Sequence, residues 1–167
     1  IPVMVALLCF GPIPGVGSAL IYWAILLLRG EFSPIGPSMK FLAVFSMLIG
    51  LWIGVKVFKG SRFTLHLSFL LGAFLRVLSM SAMNYIVAYL LFPNFMSLAA
   101  RTISMVLGIK ISGGLSCLIT VLAFTAIFNL IHSILSIAPS ILIVKYISSR
   151  ELPHLKMTWY RLVLEKG

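Results

Sequence analysis

The stretch 115–148, LSCLITVLAFTAIFNLIHSILSIAPSILIVKYIS, decides the fold. It carries one charge, Lys145, and it outruns the roughly 20 residues that a helix needs to cross a bilayer. Its apolar character is continuous rather than alternating, which argues for helix and against a β-barrel strand. Its first part is expected along the membrane interface, and Pro139 is expected to kink the remainder. Two polar side chains, Asn129 and His132, interrupt it in Phe128-Asn129-Leu130-Ile131-His132.

Working outward, the pattern repeats. Residues 64–92 predict a long helix that stops before Pro93-Asn94, and it holds a second polar pair, Asn84-Tyr85. Residues 38–58 predict a span closed by Lys56, Lys59 and Arg62 around Gly60. Residues 13–29 predict a helix closed by Arg29-Gly30-Glu31, and residues 93–114 are mixed. Residues 1–10 are apolar but too short to span, and end at the turn Gly11-Pro12-Ile13-Pro14-Gly15.

Composition agrees. The chain is 61% hydrophobic and 10% charged, whereas a soluble domain carries about 25% charged residues. The expected fold class is all-α: a polytopic transmembrane helical bundle with about four full spans plus part of another. It forms one domain over 1–148, followed by a basic cytoplasmic tail over 149–167. The net charge is +10 with three acids, Glu31, Glu151 and Glu165. The basic residues flank apolar spans, so the lipid bilayer, and not nucleic acid, is the expected partner for them. Cys9 and Cys117 lie in apolar stretches and read as small buried hydrophobes, with no disulfide or metal framework.

Lysine and arginine set the sidedness. Placing 56–62 and the C-terminal region inside leaves Arg29, Lys40, Arg101 and Lys110 on the other face and Arg76 within a span. The protein is then a multi-pass cell-membrane protein with a cytoplasmic C-terminus. Asn129 and His132 fall about 20–24 Å above the inner end of their helix, level with the outer part of 64–92, where Asn84 lies. The polar residues can therefore meet.

A buried polar group needs a partner helix, a cavity or a ligand. Asn84, Asn129 and His132 read as ligand contacts, with helix–helix hydrogen bonds as the plainer alternative. Tyr85 and Tyr89 could stack on an aromatic ligand or belong to an interfacial belt. For Tyr22 and Trp23, ordinary packing is preferred over cavity lining. Arg76 is expected to snorkel to the inner face, ahead of pairing with another segment or contacting a partner protein. Gly11, Gly15, Ser18 and Ala19 allow close helix packing within the chain. No nucleophile–base pair, Gly-rich phosphate loop or metal-ligand set is recognisable, so no enzyme activity and no cofactor are expected.

Three segments carry a resemblance: Phe10-Gly11-Pro12-Ile13-Pro14-Gly15, Asn84-Tyr85, and Phe128-Asn129-Leu130-Ile131-His132-Ser133. In order and placement they resemble the substrate-binding S component of energy-coupling-factor (ECF) vitamin transporters, most closely the riboflavin-specific type. The resemblance implies a six-helix fold with a vitamin held near the outer face. It also implies, as partners, a transmembrane coupling protein and two ATPase subunits. It places Asn84 and Asn129 where that type hydrogen-bonds the flavin, and His132 where it uses a lysine. Ile127 and Ser133 replace the family's proline and glycine. Matched onto the family pattern, the chain begins inside the second helix, so a first helix and first outer loop are expected upstream of Ile1. The expected function is capture of a small vitamin, riboflavin first. The alternatives are an S component for a different vitamin, a structural or assembly membrane subunit without a small-molecule ligand, and a proton-coupled carrier. The last would want an intramembrane acid.

Overall fold

The computed structural model describes residues 1–29, 34–59, 61, 63–108, 110–111 and 114–149, leaving aside the side chains at 88, 89, 93, 95, 96 and 148. Six α-helices follow in order: α1 (Pro2–Phe10), α2 (Pro12–Leu28), α3 (Ile35–Val57), α4 (Thr64–Asn84), α5 (Pro93–Leu107) and α6 (Gly114–Ser149). A π-helical segment, Tyr85–Leu91, extends α4. The described residues contain no strand. Three of the helices are long and apolar enough to cross a membrane: Ile35–Val57, Thr64–Val87 and Gly114–Ile147. This is the build of a helical membrane protein. The 17 residues of α2 make a shorter apolar helix, about 26 Å long against a hydrocarbon core of about 30 Å.

The segment 115–148 lies within one helix, and Pro139 sits inside it without ending it. The expected long helix 64–92 does reach Leu91, but it widens into π geometry immediately after Asn84. The mixed segment 93–114 contains α5, opened by Pro93 at a first-turn position where a missing N–H costs nothing. The expected basic tail lies, from residue 150 onward, outside the described residues.

On α4 and α6 the buried faces are rich in small and polar side chains. On α4 the buried positions include Thr64, Ser68, Gly72, Arg76 and Met80, spaced by four. Phe63, Leu70, Phe74 and Leu78 are exposed. On α6, Asn129, Ser133 and Ser140 are buried, while Ile127, Ile131, Ile134, Leu135 and Leu142 are exposed. Spacings of three and four gather one face of a helix. Here that face is polar and small, and the leucine and isoleucine face looks outward, as lipid as solvent requires.

Three glycines and a serine set the close crossing of α3 and α4. A Cβ at Gly50 would lie 2.6 Å from Gly72 Cα, and one at Gly54 would lie 2.5 Å from Ser68 Cα. Gly50-x-x-x-Gly54 on α3 thus meets Ser68-x-x-x-Gly72 on α4, the small-residue packing typical of membrane helices. The α1–α2 turn needs a different glycine property. Gly11 ends α1 and starts α2 at φ 98°, ψ −175°, a backbone that L-residues with a Cβ adopt at a cost. Beyond the turn, Gly15 packs on Leu7, so small residues here serve packing within the chain. α1 is embedded: Leu7 and Leu8 are fully buried in a core that also takes in Ala19, Met47, Leu51, Phe69 and Val144. Neither cysteine is in a disulfide; Cys9 is buried in this core, and Cys117 packs beside Ala100 and Val121 between α5 and α6.

Candidate functional site: a polar cavity between α3, α4 and α6

The buried stripe of α4 brings Arg76 against α6. Its Nη2 lies 2.9 Å from His132 Nδ1, its Nε donates to Asn129 Oδ1 at 3.4 Å, and its Nη1 approaches Met47 Sδ at 3.8 Å. One guanidinium therefore ties together the three longest apolar helices. Only 5% of Arg76 is exposed. Snorkelling, expected from the sequence, does not occur, because neighbouring helices supply acceptors at the depth of the residue itself. A charge at the centre of a membrane helix costs about 2.5–3.5 kcal/mol on insertion scales; three neutral contacts offset part of that.

The partners fix each other's orientation. A guanidinium only donates, so Nδ1 of His132 accepts, and the neutral ring carries its proton on Nε2. For the same reason Asn129 turns Oδ1 to the arginine, while its Nδ2 donates to the Thr125 carbonyl at 2.8 Å. Serines continue the satisfaction along α6. Ser133 Oγ donates to Asn129 O at 2.8 Å, Ser136 Oγ to His132 O at 2.8 Å, and Ser140 Oγ to Ser136 O at 2.7 Å. No side-chain nitrogen or oxygen buried among the described residues lacks a hydrogen-bond partner.

Beside this cluster lies a cavity of about 400 Å³. Asn84, Asn129 and His132 all line it, together with Arg76, Lys40, Thr125, Tyr22, Phe128 and the methionines Met39 and Met80. The three polar residues singled out in the sequence thus meet at one space from two helices. Asn84 is half-buried, and its side chain makes no hydrogen bond to the described residues. Tyr85 does not join them. One residue along a helix turns about 100°, so when Asn84 faces the cavity its neighbour faces away, and 39% of Tyr85 is exposed. The side chain of Tyr89 lies outside the described residues. Trp23 packs against Phe41 with ring centroids 5.7 Å apart and donates to Ser38 Oγ at 3.4 Å. Tyr22, expected to pack, instead lines the cavity.

A second cavity, also about 400 Å³, is lined by Arg76 and His132 together with Met4, Ser18 and Ser136. Arg76, His132, Tyr22 and Val44 line both spaces.

Sequence reasoning missed Arg76 and Lys40 as cavity residues. The spacing of Thr64, Ser68, Gly72 and Arg76 was the available signal for Arg76, since a strict repeat of four puts it on the small, partner-facing side of α4. Among the described residues no group of three His, Cys, Asp or Glu could hold a metal ion. Comparison with protein-family models, curated proteins and solved structures finds no match.

Proposed function

We propose that this protein is a membrane-embedded binding subunit that captures a small vitamin, riboflavin first. It would act as the S component of an ECF-type transporter, with a coupling protein and two ATPases completing the transport machinery. In this reading α2 is a fourth crossing, the C-terminus is cytoplasmic and the chain performs no catalysis of its own. The observation that carries the reading is the convergence of Asn84, Asn129 and His132 on one cavity beside Phe128 and Tyr22. Its volume of about 400 Å³ lies within the range of small-molecule pockets, which are mostly apolar with a few placed polar groups. Aromatic and methionine side chains would desolvate the ligand, and the amides and imidazole would orient it. The vitamin class comes from the sequence resemblance, as do the partner subunits.

Asn84 provides the clean test. Its side chain holds no other described residue in place, so Asn84→Ala removes a ligand contact without dismantling the cluster. One lost hydrogen bond to a buried ligand group costs about 1–3 kcal/mol. Riboflavin affinity measured by calorimetry in detergent should fall by roughly five- to 150-fold, with an unchanged unfolding midpoint. Unchanged affinity would remove Asn84 from the site.

A further inference from the structure

Resting on the binding reading above, we propose that Arg76 is a positioning residue that fixes the hydrogen-bond sense of this cavity. The edge formed by Arg76, Asn129 and His132 offers donors to the ligand, and so selects a neutral ring whose facing edge carries acceptors.

A guanidinium donates at every nitrogen and accepts at none. Its contact with His132 therefore takes the accepting nitrogen, Nδ1, at 2.9 Å and leaves the ring with Nε2–H. Its contact with Asn129 takes the amide oxygen at 3.4 Å. The Thr125 carbonyl takes one hydrogen of Asn129 Nδ2 at 2.8 Å and leaves the other. Each nitrogen of Arg76 holds one contact among the described residues, so one N–H remains on each terminal nitrogen. All three side chains line the cavity. A neutral imidazole apart from Arg76 could carry its proton on either nitrogen and meet a donor or an acceptor; the arginine removes that choice. Acceptors for an N–H of the ligand come from elsewhere on the wall, from Asn84, Tyr22 and Thr125.

The oxidised flavin ring suits such an edge. On either side of its pyrimidine ring a carbonyl oxygen neighbours a ring nitrogen that holds a lone pair and no hydrogen. Reduction by two electrons and two protons puts a hydrogen on each of those nitrogens. The neutral dihydroflavin has the same body and turns donors toward donors, and a buried donor left without an acceptor is costly. The cavity should therefore prefer the oxidised ring.

The experiment uses the full chain purified in detergent. With isotope-labelled histidine, the double variant His66→Gln, His154→Gln leaves His132 as the one histidine. Its nitrogen resonances should show a proton on Nε2 and none on Nδ1. A proton on Nδ1, or exchange between the two forms, overturns the proposal. Anaerobic calorimetry then compares riboflavin with neutral dihydroriboflavin. The oxidised form should bind about tenfold more tightly or better, and His132→Phe should narrow that gap several-fold. An unchanged gap in that variant overturns the part given to His132; if the variant fails to fold, the two flavins on the unsubstituted chain decide. Equal binding of the two forms overturns the proposal while the binding-subunit reading survives. Absence of binding by both forms overturns both.

Discussion

Replacing Gly54 by alanine should loosen the close crossing of α3 and α4. The new Cβ would stand 2.5 Å from Ser68 Cα and 2.8 Å from Ser68 Cβ. Carbon atoms rest at about 3.5–4.0 Å, so α3 and α4 must part by roughly 1 Å. No rotamer change relieves the clash, because the opposing atoms are the backbone and Cβ of Ser68. A gap of 0.5–1 Å forfeits about a quarter to a half of each dispersion contact across the crossing, and overpacking typically costs about 1–3 kcal/mol. Alanine returns up to about 1 kcal/mol through its better helix propensity. The net expectation is a destabilisation of about 1–2 kcal/mol, a five- to thirtyfold shift in the folding equilibrium. The control is Gly17→Ala on α2, where an added Cβ meets nothing within 4 Å; only the propensity gain applies, so stability should hold or rise. Unfolding would be followed by far-UV circular dichroism as SDS is titrated into mixed micelles. If Gly54→Ala unfolds at the same SDS fraction as Gly17→Ala, the close crossing is not what holds α3 to α4.

Two further outcomes follow from the geometry. Asn129→Leu removes both the Oδ1 that accepts from Arg76 Nε at 3.4 Å and the Nδ2 that donates to the Thr125 carbonyl at 2.8 Å; hydrogen bonds to charged groups are worth about 1.5–3 kcal/mol. The variant should unfold at a lower SDS fraction than the parent. Gly11→Ala must hold a Cβ at φ 98°, a strain of order 1–3 kcal/mol, and the same SDS titration should show a loss of that size.

The helical build was legible because long apolar runs admit few alternatives in a bilayer. The prolines helped as breaks: the helices expected to stop before Pro12 and Pro93 do stop there, and each proline also opens the next helix. The meeting of Asn84 with Asn129 and His132 was legible from depth arithmetic on the sidedness that lysine and arginine imply, since helices of known rise put residues at predictable heights. Rotation about the helix axis was harder to read. A membrane helix is apolar nearly all round, so hydrophobic periodicity does not say which face turns inward. That is why Arg76 read as snorkelling and Tyr22 as packing, and why Tyr85 was grouped with Asn84. The small-residue repeat Gly50-x-x-x-Gly54 opposite Ser68-x-x-x-Gly72 carries the orientation that apolar periodicity does not. The π-helical turn after Asn84 has no counterpart in local propensity; nothing in Tyr85–Leu91 distinguishes it from ordinary helix.

The most direct measurement is a calorimetric titration of riboflavin into the purified protein, preceded by an absorbance spectrum for flavin carried through purification. Saturable one-to-one binding that weakens in Asn84→Ala is expected. A flat titration and a flavin-free spectrum would contradict the assignment of this cavity to riboflavin and favour a structural membrane subunit instead.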